Sequence, residues 1–491
     1  MIGITHYGGY IPKLRLDRMQ ICQAMGWFAP AIMAVAQGER SVCNWDEDAL
    51  SMAVEASRDC LKGGNKANVD ALYLCSTTLP YADRQNAGIV KTALNMGDTV
   101  LTADFTSALK AGTTALTAAF DALAGGQKKN ILVTASDKRE TRGAYFYESW
   151  FGDGAASLML GSENVIAEYK GSYSVSHDFP DHFRGTGFKY DYMWEERWVR
   201  DEGYSKIVPQ AVGGLLNKLG MKMTDVTKLA FPCFFKAEHL KIARTLGAAP
   251  GQVVDNMHEV CGETGTAHPF IMFISALEQA KPHDKILMAG FGQGCDALLF
   301  EVTDNIARLS PRKGVKGCLA DRRQFPSYEK YCKFRDLIKV EMGIRAESGA
   351  RTAMTTLWRK RKMITGLVGA RCTKCGTPQW PPPQICVNPS CGSVKQFEDY
   401  EFADRKGRVL TWTADMLAVS WEPPCVYGIV QFDEGGRMLL DFTDCEQQDV
   451  KVGQPVRLSF RQRYFDKDRG YQGYFWKAIP VKEEGGKEAS A

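Results

Sequence analysis

The sequence contains no long hydrophobic run and carries little net charge. Nothing in it approaches the roughly 18 uninterrupted apolar residues of a membrane-spanning helix, and no basic segment followed by an apolar one opens the chain. We therefore expect a cytoplasmic protein. A formal charge of +4 over 491 residues is too small a bias to indicate a nucleic acid or a membrane surface as a partner.

The chain also lacks the cysteine pattern of a secreted disulfide framework. Its 15 cysteines are an odd number, and most stand singly inside apolar segments, which is typical of reduced core thiols. Cys372 and Cys375 form one close pair, and Cys386 and Cys391 form a second. Two such pairs predict a zinc ribbon in which four thiolates fill the tetrahedral shell. The zinc should therefore be structural.

The length of the chain predicts two or three domains. Apolar strands that alternate with helices over the first 300 or so residues indicate two successive halves of layered α/β structure. Five strand-like segments separated by turns follow the cysteine pairs and predict a small barrel of the OB type. The expected boundaries are 1–165 and 166–307 for the two halves, 308–370 for a basic helical linker, 371–400 for the ribbon, 401–480 for the barrel and 481–491 for a disordered tail.

The stretch 308–362 is strongly basic, with 16 Lys and Arg residues against 5 Asp and Glu residues. We interpret it as a solvated helical linker, because most runs of charge are solvated surfaces. The alternative is a surface that meets the phosphates of a ligand of the coenzyme A type through charge-assisted contacts.

Residues 103–116, ADFTSALKAGTTAL, have the outline of a nucleophile elbow without a nucleophile. A strand at 70–76 and a further apolar segment lead into this stretch, and the small residues 111–115 then predict the start of a helix that reaches about 124. Thioester enzymes present a cysteine at such a helix start, where the helix dipole lowers the pKa of the thiol. Leu109 occupies that position here.

Several motifs carry a resemblance to the thiolase superfamily, nearest to 3-hydroxy-3-methylglutaryl-CoA synthases and third-class ketoacyl synthases. They are GITHYGGYIPKLRLDR, FTSALKAGTTAL, WFGDGAASLML, CGETGTAHPFIMFISALE and GFGQGCDALLFE. Residues 372–480 resemble the zinc-ribbon and OB domains that accompany such proteins, through the cysteine pairs, the PPP segment, GRVLTWT and CVYGIVQF. The resemblance implies a layered αβαβα fold of two pseudo-symmetric halves, a homodimer and an acyl-CoA tunnel.

The departures from the family pattern bear directly on mechanism. The cysteine position is Leu109, followed by Lys110, and Pro232 stands where the synthases carry a histidine. A covalent acyl-enzyme cannot form on a leucine, so ordinary Claisen chemistry at this position is disfavoured. The resemblance further implies that the CoA thioester is bound by Leu109, Lys110, Lys236 and Gly292.

Titratable groups remain as candidate catalytic residues. His268 resembles the GHP histidine of thiolases, and the alternative is a core histidine with satisfied nitrogens. Glu263 is either a base whose pKa burial raises or a carboxylate at a helix start. Tyr204 is a candidate proton donor. Asp178 and His182 fall with it in an aromatic-rich insertion that we interpret as a lid or a dimer cap.

The favoured function is a CoA-thioester aldolase, a lyase that cleaves a 3-hydroxyacyl-CoA by a retro-aldol reaction, with His268 or Glu263 as the base. One alternative is an acyltransferase that uses another thiol, such as Cys295 or Cys75. Another is a non-catalytic scaffold that binds a CoA ester. The chain resembles a fused version of the thiolase-like aldolases that work with zinc-ribbon/OB partners and have lost the cysteine. This resemblance adds an enoyl-CoA hydratase as a candidate partner, and coenzyme A enters only as part of the substrate.

Overall fold

The computed structural model describes residues 1–343 and 351–481. The chain divides into two compact units. The first consists of Met1–Asn44, Asp48–Lys91 and Met96–Lys339, and the second of Trp45–Glu47, Thr92–Asn95 and the described part of Val340–Ala491. The tail predicted over 481–491 lies outside the described residues, apart from its first residue.

A nine-stranded mixed sheet forms the framework of the first unit, in the order β11-β12-β13-β8-β1-β7-β6-β4-β5. β4 runs parallel to β5 and β6, and β11 runs parallel to β12, whereas the central pairs are antiparallel. The strands of this sheet are β1 Gly3–Tyr10, β4 Ala71–Cys75, β5 Leu101–Phe105, β6 Ile131–Lys138, β7 Asp153–Gly161, β8 Ala167–Ser176, β11 Lys228–Ala230, β12 Lys285–Phe291 and β13 Gly294–Val302.

Smaller strands complete the unit. β2 (Leu14–Asp17) pairs with both β3 (Glu39–Val42) and β14 (Arg323–Gln324), and β9 (His182–Phe183) pairs with β10 (Tyr192–Met193). The helices are α1 Arg18–Met25, α2 Ala49–Leu61, α3 Ala87–Ala93, α4 Ala111–Ala124, α5 Phe146–Trp150, α6 Glu196–Trp198, α7 Ser205–Leu219, α8 Lys236–Thr245, α9 His268–Leu277, α10 Gly314–Ala320 and α11 Tyr328–Phe334.

Two helices lie between the halves of the large sheet. α4 packs on β4 and β6 of one half and on β12 and β13 of the other, and it also contacts α9. α2 covers β1, β6 and β7 on one outer side, while α7 covers β8, β12 and β13 on the other. The result is the layered α/β architecture that the sequence predicted, and the start of α4 lies where the halves meet.

The packing of the buried face of α4 fixes the position of this helix. Its buried side is apolar, and the ring of Phe120 stacks on that of Tyr169 in β8 with centroids 4.0 Å apart. Gly112 allows a close crossing with the segment before α9, because a β-carbon there would lie 2.9 Å from the carbonyl oxygen of Thr266. A larger residue at Gly112 would push the two segments apart.

The stretch predicted as the linker 308–370 is divided between the units. Its first part, with α10, β14 and α11, belongs to the first unit, where Phe325 and Tyr331 are buried. The short helices α12 (Met354–Arg359) and α13 (Arg361–Ile364) belong to the second unit. The prediction of a solvated linker therefore fails for the first part, whose aromatic side chains are core residues.

The second unit contains a small three-stranded sheet and a five-stranded barrel-like sheet in the order β20-β19-β18-β21-β22. Alternate residues of β19 are buried, as expected for strands that enclose a core on one side. A bridge between Phe442 and Ala478 joins the two ends of the sheet. The strands are β15 Val368–Cys372, β16 Pro378–Gln379, β17 Phe397–Glu401, β18 Gly407–Asp415, β19 Cys425–Phe432, β20 Arg437–Asp441, β21 Pro455–Asp466 and β22 Tyr471–Pro480.

Within the described ranges 1–343 and 351–481, none of the helices has both the length and the apolar character needed to cross a membrane.

Candidate active site

The start of α4 forms the turn that the sequence predicted. After β5 ends at Phe105, Ser107 takes a left-handed backbone conformation with φ +76°, and Leu109 is buried at the turn. The backbone N–H groups of Leu109 and Lys110 have no hydrogen-bond partner among the described residues. These donors lie at the positive end of a 14-residue helix and favour negative charge on a nearby oxygen.

The turn between β12 and β13 lies against these two amides. A β-carbon on Gly292 would lie 2.8 Å from the Leu109 nitrogen and 2.9 Å from the Lys110 nitrogen, so only glycine permits this approach. Lys110 Nζ lies 3.0 Å from Asp296 Oδ1, and the Thr114 hydroxyl donates to Asp296 Oδ2 at 2.7 Å. These contacts connect the start of β13 to the start of α4, where two backbone donors can stabilise an oxyanion.

Glu263 has partners on both of its carboxylate oxygens. Oε2 accepts from Arg139 Nη1, and Oε1 accepts from the Gly265 amide at 3.0 Å. Arg139 also donates from Nε to Asp191 at 3.1 Å, and its guanidinium lies over the ring of Phe151. Burial raises the pKa of the Glu263 carboxyl, and the Arg139 charge opposes that shift. Glu263 is therefore the counter-charge of a buried arginine, and its protonation would leave that arginine without a partner.

His268 is likewise engaged on both sides of its ring. Nδ1 accepts from the backbone N–H of Thr264 at 3.2 Å, and Nε2 donates to the carbonyl of Asn256 at 2.9 Å. Burial lowers the pKa of His268 to about 4. The imidazole is neutral, and neither nitrogen is available to a substrate. This geometry supports the core-histidine interpretation and argues against His268 as the base.

Tyr204 keeps an uncommitted hydroxyl. It is the last residue of a π-helical turn, Val199–Tyr204, a conformation that is frequent at functional sites. Its ring is 2% exposed and lies 4.2 Å, centroid to centroid, from Phe291, the last residue of β12 before the Gly292 turn. The hydroxyl has no hydrogen-bond partner among the described residues. Burial raises the pKa of Tyr204 well above its ordinary value, so the phenol stays protonated at neutral pH.

Asp181 and His182 form a buried pair that the sequence analysis did not single out as a unit. Asp181 Oδ2 lies 2.9 Å from His182 Nδ1, and Asp181 Oδ1 accepts from the backbone N–H of Gln293 at 2.9 Å. Gln293 follows Gly292 in the turn against α4. Asp178, the acidic residue that the sequence analysis named in the insertion, is exposed. The adjacency of an acid and a histidine within an aromatic segment was the available signal.

The two alternative thiols are poor nucleophiles. Cys75 and Cys295 are completely buried, in β4 and β13. Burial raises the pKa of Cys75 well above the ordinary value of a thiol, and it raises the pKa of Cys295 as well. Neither cysteine begins a helix, so the usual device that lowers a thiol pKa is missing at both.

Asp137 joins the two halves beside this site. Its Oδ1 accepts from the Ser76 hydroxyl at 2.8 Å and from the Thr78 hydroxyl at 2.9 Å. Its Oδ2 accepts from the backbone N–H and the hydroxyl of Thr266, at 2.7 and 2.9 Å. Because Asp137 is fully buried, these bonds fix the end of β6 against the segment that leads into α9.

Lys236, the fourth residue that the resemblance assigned to CoA binding, begins α8. Its side chain is 70% exposed and pairs with Glu259 at 2.5 Å. The other three residues of that set, Leu109, Lys110 and Gly292, converge at the start of α4.

The four paired cysteines meet in the second unit. Their sulfur atoms all lie within 4.8 Å of one another, with Cys375 Sγ 3.6 Å from Cys386 Sγ and Cys372 Sγ 3.9 Å from Cys391 Sγ. Ligand bonds of about 2.3 Å in a tetrahedron place sulfur atoms about 3.8 Å apart. The residues fit a structural Zn²⁺ that all four thiolates coordinate.

This chain is a protein of the thiolase superfamily that carries a zinc-ribbon and OB module. Three features define this class: the layered α/β unit, the glycine turn against the start of α4, and the four-cysteine ribbon. The model for the C-terminal part of 3-oxoacyl-acyl-carrier-protein synthase III matches residues 216–301. Models for the rubredoxin-like zinc ribbon domain and the C-terminal OB-fold domain of ChsH2 match residues 366–395 and 400–461.

Relatives that match over nearly their whole length identify the family within this superfamily. A hydroxymethylglutaryl-CoA synthase of Pyrobaculum aerophilum is 31% identical over 351 residues, which cover 69% of this chain and 99% of that protein. A synthase of the same name from Archaeoglobus fulgidus is 31% identical over 345 residues, covering 69% of this chain and all of that protein. The chain belongs to the hydroxymethylglutaryl-CoA synthase family.

Solved structures agree on the fold. An HMG-CoA synthase complexed with CoA superposes with a TM-score of 0.61 at 17% identity, covering 72% of this chain and 94% of that one. MvaS in complex with 3-hydroxy-3-methylglutaryl coenzyme A superposes with a TM-score of 0.59 at 18% identity, covering 69% and 92%.

Proposed function

We propose that this chain is a CoA-thioester lyase that cleaves a 3-hydroxyacyl-CoA by a retro-aldol reaction without a covalent acyl-enzyme. The single observation that carries the proposal is the start of α4, where the backbone amides of Leu109 and Lys110 have no hydrogen-bond partner among the described residues and the side chain at the cysteine position is that of Leu109. The site keeps the means to stabilise an oxyanion and has no thiol at the start of the helix.

The proposed reaction needs three contributions from the protein. A base takes the proton of the 3-hydroxyl, the C2–C3 bond breaks, and its electron pair forms an enolate whose charge rests on the thioester oxygen. The amides of Leu109 and Lys110 are the proposed donors to that oxygen. Tyr204 then donates its proton to C2, which leaves a shorter acyl-CoA and an aldehyde or ketone.

The second candidate is a Claisen acyltransferase of the hydroxymethylglutaryl-CoA synthase type. The names of the relatives favour this candidate over the lyase. It requires a nucleophile other than the residue at the start of α4. The buried positions and raised pKa values of Cys75 and Cys295 weigh against it.

A homodimer is part of the proposal. β5 lies at one edge of the nine-stranded sheet, and Leu101 on it is 47% exposed. An unpaired edge strand with exposed apolar side chains is suited to pairing with a second copy. Light scattering coupled to gel filtration should give twice the 54.5 kDa chain mass, and a monomer at micromolar concentration would contradict this part.

The test of the reaction uses 3-hydroxy-3-methylbutanoyl-CoA and 3-hydroxybutanoyl-CoA. Formation of acetone or acetaldehyde together with acetyl-CoA, unaffected by iodoacetamide, supports the lyase. Radiolabel from acetyl-CoA that stays on the denatured protein supports the acyltransferase and refutes the lyase. If neither occurs but CoA esters raise the melting temperature, the chain is a binding scaffold.

A further inference from the structure

The lyase reaction proposed above needs a base with a lone pair that no protein group occupies. The two carboxylate oxygens of Glu263 accept hydrogen bonds from Arg139 and Gly265, and both ring nitrogens of His268 are hydrogen-bonded to backbone groups. His268 cannot take a proton from a substrate without first breaking a buried hydrogen bond. Protonation of Glu263 would leave the buried charge of Arg139 without its partner. The base must therefore be sought among other groups.

His182 differs from His268 in one decisive respect. Its Nδ1 is bound to Asp181 Oδ2 at 2.9 Å, but its Nε2 has no hydrogen-bond partner among the described residues. A carboxylate on Nδ1 fixes the tautomer with the proton on that nitrogen and leaves the lone pair on Nε2. The ring is 9% exposed, so it is held by its surroundings and cannot rotate freely in solvent.

The position of the pair connects it to the start of α4. Asp181 accepts the backbone N–H of Gln293, and the neighbouring Gly292 lies against the amides of Leu109 and Lys110. The same turn therefore contacts both the oxyanion donors and the carboxylate that orients His182.

We propose that Asp181 and His182 act as a base dyad, in which His182 Nε2 takes the 3-hydroxyl proton of a CoA thioester and Asp181 orients the ring. This inference rests on the proposed lyase function. The proton moves from the 3-oxygen to Nε2 while the C2–C3 electron pair enters the enolate. After Tyr204 has protonated C2, the proton on His182 returns to the Tyr204 phenolate through solvent, so no proton is gained or lost over the cycle.

The charged groups around the ring set the expected pH dependence. They are Asp181 beside it, Asp191 before β10, and Arg139 and Glu263 across the site. Burial alone would lower the pKa of His182, but the hydrogen bond and charge of Asp181, aided by Asp191 and opposed by Arg139, raise it above 6.5. Because the base must be unprotonated, activity should rise with pH through a value above 6.5.

The test compares His182→Gln, His182→Ala and Asp181→Asn with the wild type on 3-hydroxy-3-methylbutanoyl-CoA. We expect kcat of His182→Gln to fall about 100-fold or more with KM changed less than about threefold, as for loss of a general base. Imidazole should restore part of the activity of His182→Ala. Asp181→Asn, which keeps the ring, should move the pH profile to lower pH.

His177→Gln is the matched control, because His177 lies in the same insertion but is exposed and bonded to Gln210. It should leave kcat, KM and the pH profile unchanged. Circular dichroism and melting curves verify that each variant is folded.

The His182 pKa, read from imidazole NMR signals that disappear in His182→Gln, gives a readout that does not depend on turnover. It should exceed 6.5 in the wild type and fall in Asp181→Asn. A wild type that cleaves the substrate while His182→Gln keeps full kcat and the same pH profile overturns the dyad but not the lyase. A wild type that does not cleave either probe overturns both.

Discussion

Replacement of Gly292 by alanine tests the contact between the β12–β13 turn and the start of α4. A β-carbon at this position would lie 2.8 Å from the Leu109 nitrogen and 2.9 Å from both the Leu109 β-carbon and the Lys110 nitrogen. All three separations are below van der Waals contact, and two of the atoms are backbone, so the turn itself must move. The strain should cost about 1–3 kcal/mol of unfolding free energy, as for other overpacked sites.

The displacement should affect activity more than stability. If the turn moves, the two amides leave the positions proposed for binding the thioester oxygen, and loss of one such donor costs about 100-fold to 1,000-fold in kcat. The assay is steady-state cleavage of 3-hydroxy-3-methylbutanoyl-CoA, with melting curves measured in parallel.

Gly213→Ala is the matched control for this substitution. Gly213 lies in the interior of α7, and a β-carbon there would meet nothing within 4 Å, so alanine should stabilise the helix by about 0.5–1 kcal/mol and leave kcat unchanged. If Gly292→Ala keeps both the wild-type kcat and the wild-type melting temperature, the turn does not support the amides.

Three further predictions concern other parts of the structure. Leu109→Cys should place a thiol of lowered pKa at the helix start, and acetyl-CoA should then acylate it with release of CoA, detected by intact-protein mass spectrometry; Leu109→Ala should give no adduct. Cys372→Ser should release the zinc and unfold the ribbon, measured by metal analysis and circular dichroism, whereas Cys425→Ser should retain the metal; full zinc in Cys372→Ser would contradict the assignment. Asp137→Ala should lower the unfolding free energy by about 3 kcal/mol or more, because it leaves several buried donors without an acceptor; a loss below about 1 kcal/mol in urea unfolding would show that Asp137 does not join the halves.

The sequence was sufficient to predict the helix α4 and the zinc ligands, because the patterns that indicate them are local. The helix predicted from the small residues 111–115 begins at Ala111 and ends at Ala124. The zinc ligands could be predicted because the cysteines of each pair are close in the sequence. Two residues separate the cysteines of the first pair, and four separate those of the second. Both features depend on contacts within a few tens of residues.

The roles of the candidate catalytic groups could not be predicted in this way, because these roles depend on partners that are distant in the sequence. Glu263 looked like a candidate base until the structure placed Arg139, 124 positions away, on its carboxylate. His268 fits a family motif, yet its nitrogens are taken by the backbone of Thr264 and Asn256. Sequence spacing does not tell which lone pairs remain open in the folded chain.

The aromatic-rich insertion also contains residues whose role depends on a contact distant in the sequence. As a sequence it is aromatic and polar, which favoured a lid or a dimer cap. Asp181 becomes informative only when Gln293, 112 positions away, donates to it from the turn beside α4. No local pattern predicts that contact, and it makes His182 a candidate general base.

We propose that carbon–carbon bond cleavage by this protein proceeds without a covalent acyl-enzyme. The most direct test of this proposal is intact-protein mass spectrometry of enzyme quenched with acid during turnover of acyl-labelled 3-hydroxy-3-methylbutanoyl-CoA. We predict an unmodified chain at every time point while acetone and acetyl-CoA accumulate. An acyl adduct on a cysteine that forms and decays as fast as product appears would contradict the account and assign the chain to the acyltransferases.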